Sequence, residues 1–183
     1  MSDQATRAEL DAAIPHIMAA PKDGAAIEQL CLRPGYGARQ FVDQIALTVA
    51  GGIPGERWST APWLRLPDGS PHPGIQVCIL QRRVLDLVWR DRRATPHPGD
   101  TFIVDMDLSE ANLPTGTVLQ VGTAQLRVSD VFNDACVKWK TRYGAPAKDW
   151  VTAPGNPALR LRGVLCSITQ DGVIRSGDRL RKG

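Results

Sequence analysis

Histidine is scarce in this chain. There are three among 183 residues, His16, His72 and His97, and none is near another. With no HExxH, a zinc site built from protein ligands is not expected. His97 lies between two prolines in a loop and reads as a surface residue. No P-loop is present, and no GxGxxG follows a strand, so a nucleotide fingerprint is missing. No nucleophile elbow supports Ser-His-Asp catalysis. No apolar run approaches the length of a bilayer span. The N-terminal stretch lacks the basic region and apolar core of a secretory signal. The four cysteines, Cys31, Cys78, Cys136 and Cys166, form no CxxC pair and no framework spacing. Reduced thiols in a cytoplasmic protein are the expectation. Net charge is +3, too weak to argue for nucleic acid.

What is present is an ordinary globular composition, 43% hydrophobic and 22% charged, in a length that suits one domain. Seventeen glycines and fourteen prolines predict short elements joined by many turns. The N-terminal segment, residues 1–26, reads as helical and packed on the domain. Leu10, Ile14, Ile17 and Met18 recur at helical spacing, and Thr6 with Glu9 offers a capping box. Pro15 is expected to kink or split that helix.

Residues 27–183 read mainly as strands. "AIEQLCLRPGYGARQFV" is two strands around a Pro-Gly turn. "IQVCIL" is a buried strand, followed by a helical "LQRRVLDLVW". "TVLQV" and "AQLRVSDV" alternate, joined by a tight Gly122-Thr123 hairpin. "ALRLRGVLCSI" turns at Gln170-Asp171-Gly172 into "VIRSGDRL". Mostly β with a few helices, closed or nearly closed into a barrel, is the predicted fold class, because closure removes exposed edges.

Cys136 stands apart from the other cysteines. Cys31, Cys78 and Cys166 lie in apolar runs, where a thiol acts as a small hydrophobe. Cys136 sits in "NDACVKWKTRYG", before Lys138, Lys140 and Arg142. Nearby cations favour the thiolate, the form that attacks or ligates metal. A partly buried structural cysteine is the competing reading. The cations themselves read either as a solvated face or, with Arg57 and Arg162, as a phosphate grip. Glu110 and Asn112 can simply shape a turn before Pro114.

In order, "GGIPGERW", "HPGDTFIVDMDLSEANLPTGTVLQVGTAQLRVS", "DACVKWKTRYG" and "LRGVLCSITQDGVIRSGDRL" resemble the MOSC domain family, named for the C-terminal domain of molybdenum cofactor sulfurases. The likeness covers roughly residues 27 to 182. It implies a small stand-alone member with a mostly β, barrel-like fold. It implies a molybdenum–pyranopterin cofactor ligated by Cys136, the residue it makes catalytic. Arg57, Lys138, Arg142, Arg162 and Asn112 are then the cofactor-binding candidates. The activity implied is reduction of N-hydroxylated or N-oxygenated small molecules. A separate reductase would donate the electrons, since no flavin, haem or iron–sulfur motif is visible. The alternative is a non-catalytic carrier of cofactor, or of sulfur, on Cys136. No nucleic-acid or membrane partner is expected. Two departures bear on specificity. Gly55-Glu56-Arg57-Trp58 replaces a GDRH-type element, and Asn133-Asp134-Ala135 precedes the cysteine where relatives often carry His or Gly.

Overall fold

The computed structural model describes residues 4–183. Helix α1 (Arg7–Met18) opens the described chain. Its capping box forms as expected: Thr6 Oγ1 accepts from the Glu9 N–H at 3.3 Å, and Glu9 Oε2 accepts from the Thr6 N–H at 2.7 Å. Pro15 lies inside α1 and does not split it, so of the two expected outcomes the split is excluded. The proline is exposed, so the carbonyl one turn back that loses its donor can be hydrated.

Ten strands follow: β1 (Ala25–Leu32), β2 (Gln40–Val42), β3 (Gln44–Leu47), β4 (Val77–Gln81), β5 (Phe102–Val104), β6 (Val118–Val121), β7 (Ala124–Val128), β8 (Val164–Gln170), β9 (Gly172–Arg175) and β10 (Arg179–Lys182). The main sheet runs β10-β6-β7-β8-β4-β5-β1-β2, and β10 also pairs with β1. That pairing, Ala25 opposite Leu180 and Ala26 opposite Arg179, closes seven strands into a barrel and leaves β2 as a flap on β1. All the main-sheet pairings are antiparallel except β4 with β5, which is parallel and needs a crossover. Helix α2 (Arg82–Val88) begins that crossover. Val121 pairs with Ala124, so Gly122-Thr123 is the two-residue hairpin loop predicted, with Gly122 at φ 54° as such turns require. The Gln170-Asp171-Gly172 turn behaves differently. It does not fold β8 back onto β9, which pairs with β3 in a separate ribbon.

Strand alternation divides the core between the barrel interior and its outer wall. Ile27, Ile79, Phe102, Val104, Leu126, Val164, Cys166 and Leu180 fill the barrel interior. Leu80 and Ile103 point outward and meet α1, α2, α3 (Val137–Tyr143) and α4 (Ala145–Thr152). The residues Leu10, Leu85, Trp139, Tyr143 and Trp150 complete that helical layer. A third, smaller cluster on the outer wall joins Trp58, Ile75, Cys78 and Leu165. None of the described helices is long and apolar enough to cross a membrane.

Cys166, fully buried in the barrel, has its thiol pushed up to about 12 by burial. Cys166→Ser places a hydroxyl there and is expected to lower stability by about 1–3 kcal/mol, read by urea denaturation.

Candidate functional site

β4 is buried on both faces. Val77 and Ile79 enter the barrel, Leu80 meets the helices, and Cys78 faces outward beside Leu165. In the sheet β4 lies between β8 and β5. The residues that lead into those two neighbours therefore flank Cys78. Asp100 precedes β5, and Arg162 precedes β8. Gly163, at φ 89°, packs against the Ile79 carbonyl where any Cβ would overlap, which brings Arg162 close to the sheet.

Asp100 Oδ1 accepts from Arg162 Nη1 at 2.6 Å and from the Cys78 thiol at 2.8 Å. The Arg162 and Asp100 side chains are 12% and 0% exposed. Burial pushes the Asp100 carboxyl up, but the Arg162 charge and the two hydrogen bonds outweigh it and hold it below the usual carboxylate range. Arg162 is correspondingly raised, with Asp100 overcoming its own desolvation, and its guanidinium lies 4.5 Å from the Trp139 ring centroid. Cys78 is driven well up, by burial first and the Asp100 charge second. Its thiol keeps its proton. A second carboxylate–arginine pair mirrors the first: Glu56 Oε1 accepts from the Arg33 backbone N–H at 2.6 Å and from Arg33 Nε at 3.1 Å.

Arg33, Cys78, Trp139 and Arg162 wall a cavity of about 310 Å³ on the outer face of the barrel, with Asp100 and Glu56 behind them. Arg33, Tyr36 and Arg39 reach it from the loop after β1, and Arg57 and Trp63 from the loop after β3. Cys136, Lys138, Trp139 and Arg142 reach it from α3. Cys136 is the N-cap residue of α3, so its side chain stands at the start of the helix. Lys138 and Arg142 are four apart and share a helix face. Lys140, on the other side, does not line the cavity, and for it the solvated-face reading holds. Ala135, just before the cysteine, adopts φ 63° and is 1% exposed, its methyl buried against the helical layer. Cys136 itself is exposed, whereas Cys31, Cys78 and Cys166 are buried.

The electrostatics are lopsided. Arg33, Arg39, Arg57, Lys138, Arg142 and Arg162 line the cavity, and Asp134 is the only carboxylate residue among the lining residues. Arg33 and Arg162 have the carboxylate partners described above. No salt bridge forms at Arg39, Arg57, Lys138 or Arg142 among the described residues. Arg39 donates to the carbonyls of His97 and Pro98, and Arg142 makes a long 3.5 Å contact to Pro98. Arg39 is lowered by burial and then by the Arg142 charge. Arg57 and Lys138 instead lie 4.6 and 4.7 Å from the centroid of the Tyr36 ring. An exposed cation–π contact is worth about 0.5–1 kcal/mol, against about 1.5–3 kcal/mol for a charged hydrogen bond. An arriving anion therefore outcompetes the ring.

Of the residues singled out from sequence, Cys136, Arg57, Lys138, Arg142 and Arg162 come together at one cavity. Asn112 does not. Its Nδ2 donates to the carbonyls of Asp107 (2.7 Å) and Lys22 (2.8 Å), and its Oδ1 accepts from Lys182 (3.1 Å). It is a turn residue, fully occupied. His97 corrects a second expectation. It is 3% exposed, edge-on to Phe41 and Trp89, with Nδ1 accepting from the Gly99 N–H. Sequence reasoning missed Arg33, Arg39, Cys78 and Asp100. The arginines bracketing "RPGYGAR" were a usable signal. For Cys78 and Asp100 only the three-dimensional pairing shows the role.

Two stability effects follow. Asp100→Asn leaves the Arg162 charge buried without its counterion, and the fold should lose about 3–5 kcal/mol by urea denaturation. His97 is lowered from 6.5 to about 4, by burial first. The unfolded chain thus binds a proton that the folded chain refuses between those values. Stability from this residue is complete above pH 6.5 and falls by about 1.4 kcal/mol per pH unit down to about pH 4. His97→Gln should remove that component, seen as a shallower loss of Tm between pH 6.5 and 4.

The MOSC domain family model matches residues 73–181. No curated protein matches the chain. Among solved structures, the YuaD protein from Bacillus subtilis is similar with a TM-score of 0.59 and 19% identity, over 85% of this chain and 93% of that one. YiiM from Escherichia coli gives 0.56 and 18%, over 86% of this chain and 69% of that one. A hypothetical protein gives 0.57 and 18%, over 87% and 66%. At such identities the likeness carries the fold alone. The chain spans about two thirds of the length of the last two.

Proposed function

The chain belongs to the MOSC domain family, and is thereby a molybdenum-cofactor-related domain protein; from that premise we propose that its basic cavity holds a molybdenum–pyranopterin cofactor and reduces N-hydroxylated or N-oxygenated small molecules. The observation that carries this reading is the convergence of one exposed thiol and four unpaired cations on a single cavity.

The residues present fit the group. Among the described residues no cluster of three His, Cys, Asp or Glu side chains could hold an ion. A metal bound at Cys136 must therefore arrive with other ligands, as a dithiolene-held metal does, and a soft thiolate suits it. The cavity volume of about 310 Å³ falls at the small end of the range for small-molecule sites. A phosphate beside Arg39 and Arg142 would relieve the mutual repulsion of two half-buried guanidinium groups.

In this arrangement Cys136 supplies the protein ligand. Arg142 and Arg162, joined by Arg39, grip the phosphate from the deep wall, while Arg57 and Lys138 flank the mouth. Asp100 and Glu56 hold Arg162 and Arg33 in place, so neither arginine has to be ordered when the ligand binds. Trp139 keeps the Arg162 guanidinium plane fixed from beneath. When bound, the cofactor supplies two-electron oxygen-atom chemistry. The net reaction breaks the substrate N–O bond. Two electrons from a separate reductase and two protons from solvent give the reduced nitrogen compound and water.

Protein made in a host with the cofactor pathway is expected to carry molybdenum and pterin, and protein from a host without it neither. Cys136→Ser should lose the metal and all turnover with an artificial electron donor, while the unfolding free energy stays within about 0.5 kcal/mol of wild type, since an exposed residue bears little packing. Metal retained in Cys136→Ser rejects the ligand assignment. Metal bound with no turnover of any N-hydroxylated probe selects a cofactor carrier over an enzyme.

A further inference from the structure

The four cavity cations without a carboxylate partner among the described residues converge two by two. Arg39 and Arg142 meet at the Pro98 carbonyl oxygen, at 2.9 and 3.5 Å. Arg57 and Lys138 meet at the Tyr36 ring, at 4.6 and 4.7 Å from its centroid. One phosphate occupies one pair. The Pro98 pair is the drier of the two, with both guanidinium groups half-buried. It suits a resident group held for the life of the protein.

The Tyr36 pair has a different character. Tyr36 is 77% exposed and Lys138 is exposed, with Arg57 half-buried beside them, so this pair lies nearer the mouth, on the path of an arriving molecule. They rest on a π-face that holds them more weakly than a carboxylate or phosphate would. Beside them, Trp63 at 58% and Val137 at 71% exposure also line the cavity and offer flat apolar surface. A planar molecule can lie on that surface while its charged end draws Arg57 and Lys138 off the ring.

We propose that Arg57 and Lys138 form a receptor for an anionic group of the substrate. The preferred substrate is then a planar N-hydroxylated or N-oxygenated compound bearing a carboxylate or phosphate. The reaction class rests on the reading in the preceding subsection. Anion recognition at the mouth stands on the two separate cation pairs.

The test is a binding measurement. N-hydroxybenzamidine, its 4-carboxylate and its 4-phosphate ester are titrated by calorimetry into the full-length protein, as purified from a host that makes the cofactor. The anionic probes should bind about tenfold tighter than the neutral parent or better. The preference should shrink as salt is raised. It should fall towards unity in Arg57→Gln/Lys138→Gln and persist in Lys140→Gln, which removes an exposed cation of the same helix outside the cavity. The carboxylate and phosphate arms show which anion the pair takes. Equal affinity for neutral and anionic probes overturns the proposal. So does absence of binding by all three, or a preference that survives the double variant. Turnover is read separately. A preserved anion preference with no turnover in molybdenum-loaded protein rejects the reduction and leaves the receptor standing.

Discussion

The ion pair between Asp100 and Arg162 is the constraint on which the site depends. It spans β4 from the chain entering β5 to the chain entering β8, with the Cys78 thiol as a third member. Isolated, either charge would be intolerable at that depth. Together they fix one guanidinium in the wall of the cavity, with its counterion held behind it. The site is thus built against the outside of the barrel, where strands contribute alternate residues, rather than in its filled interior. Closure of the barrel by the short β1–β10 pairing leaves only β2 free to extend the sheet.

Much of this was legible in the sequence, for identifiable reasons. The capping box at Thr6 and Glu9 and the Gly122-Thr123 hairpin are local, and local chemistry determines them. Cys136 and its cations were legible because they share one segment, and Arg57 and Arg162 because the family resemblance linked distant motifs. What failed was non-local. Asn112 sits in a segment resembling a binding loop, but its amide is taken up by two backbone carbonyls and a lysine from the last strand. His97 carries loop neighbours on both sides, and only the closure of Phe41 and Trp89 around it makes it interior. Alternating Lys138, Lys140 and Arg142 gave no hint which two face the cavity until a helix was drawn through them.

The cavity also separates two uses of arginine. Arg33 and Arg162 are neutralised by buried carboxylates and serve as fixed architecture. Arg39 and Arg142 are neutralised by nothing charged among the described residues and lean on a carbonyl dipole. A guanidinium already satisfied cannot be recruited by a ligand at much gain, whereas an unsatisfied one can. Fixed and available positive charge therefore share one small volume.

Ala135 has a consequence for the exposed thiol. Its left-handed backbone is one that residues with a Cβ rarely adopt, and its methyl is sealed in the helical layer. Three residues beyond Cys136, Trp139 is buried in the same layer. The cysteine is therefore open to solvent yet clamped on both sides by interior residues. Accessibility and mobility, which usually rise together at a surface, are uncoupled at this position. A polypeptide anchored in this way has less freedom to lose when a partner is captured there, so more of the entropic toll of capture falls on the incomer.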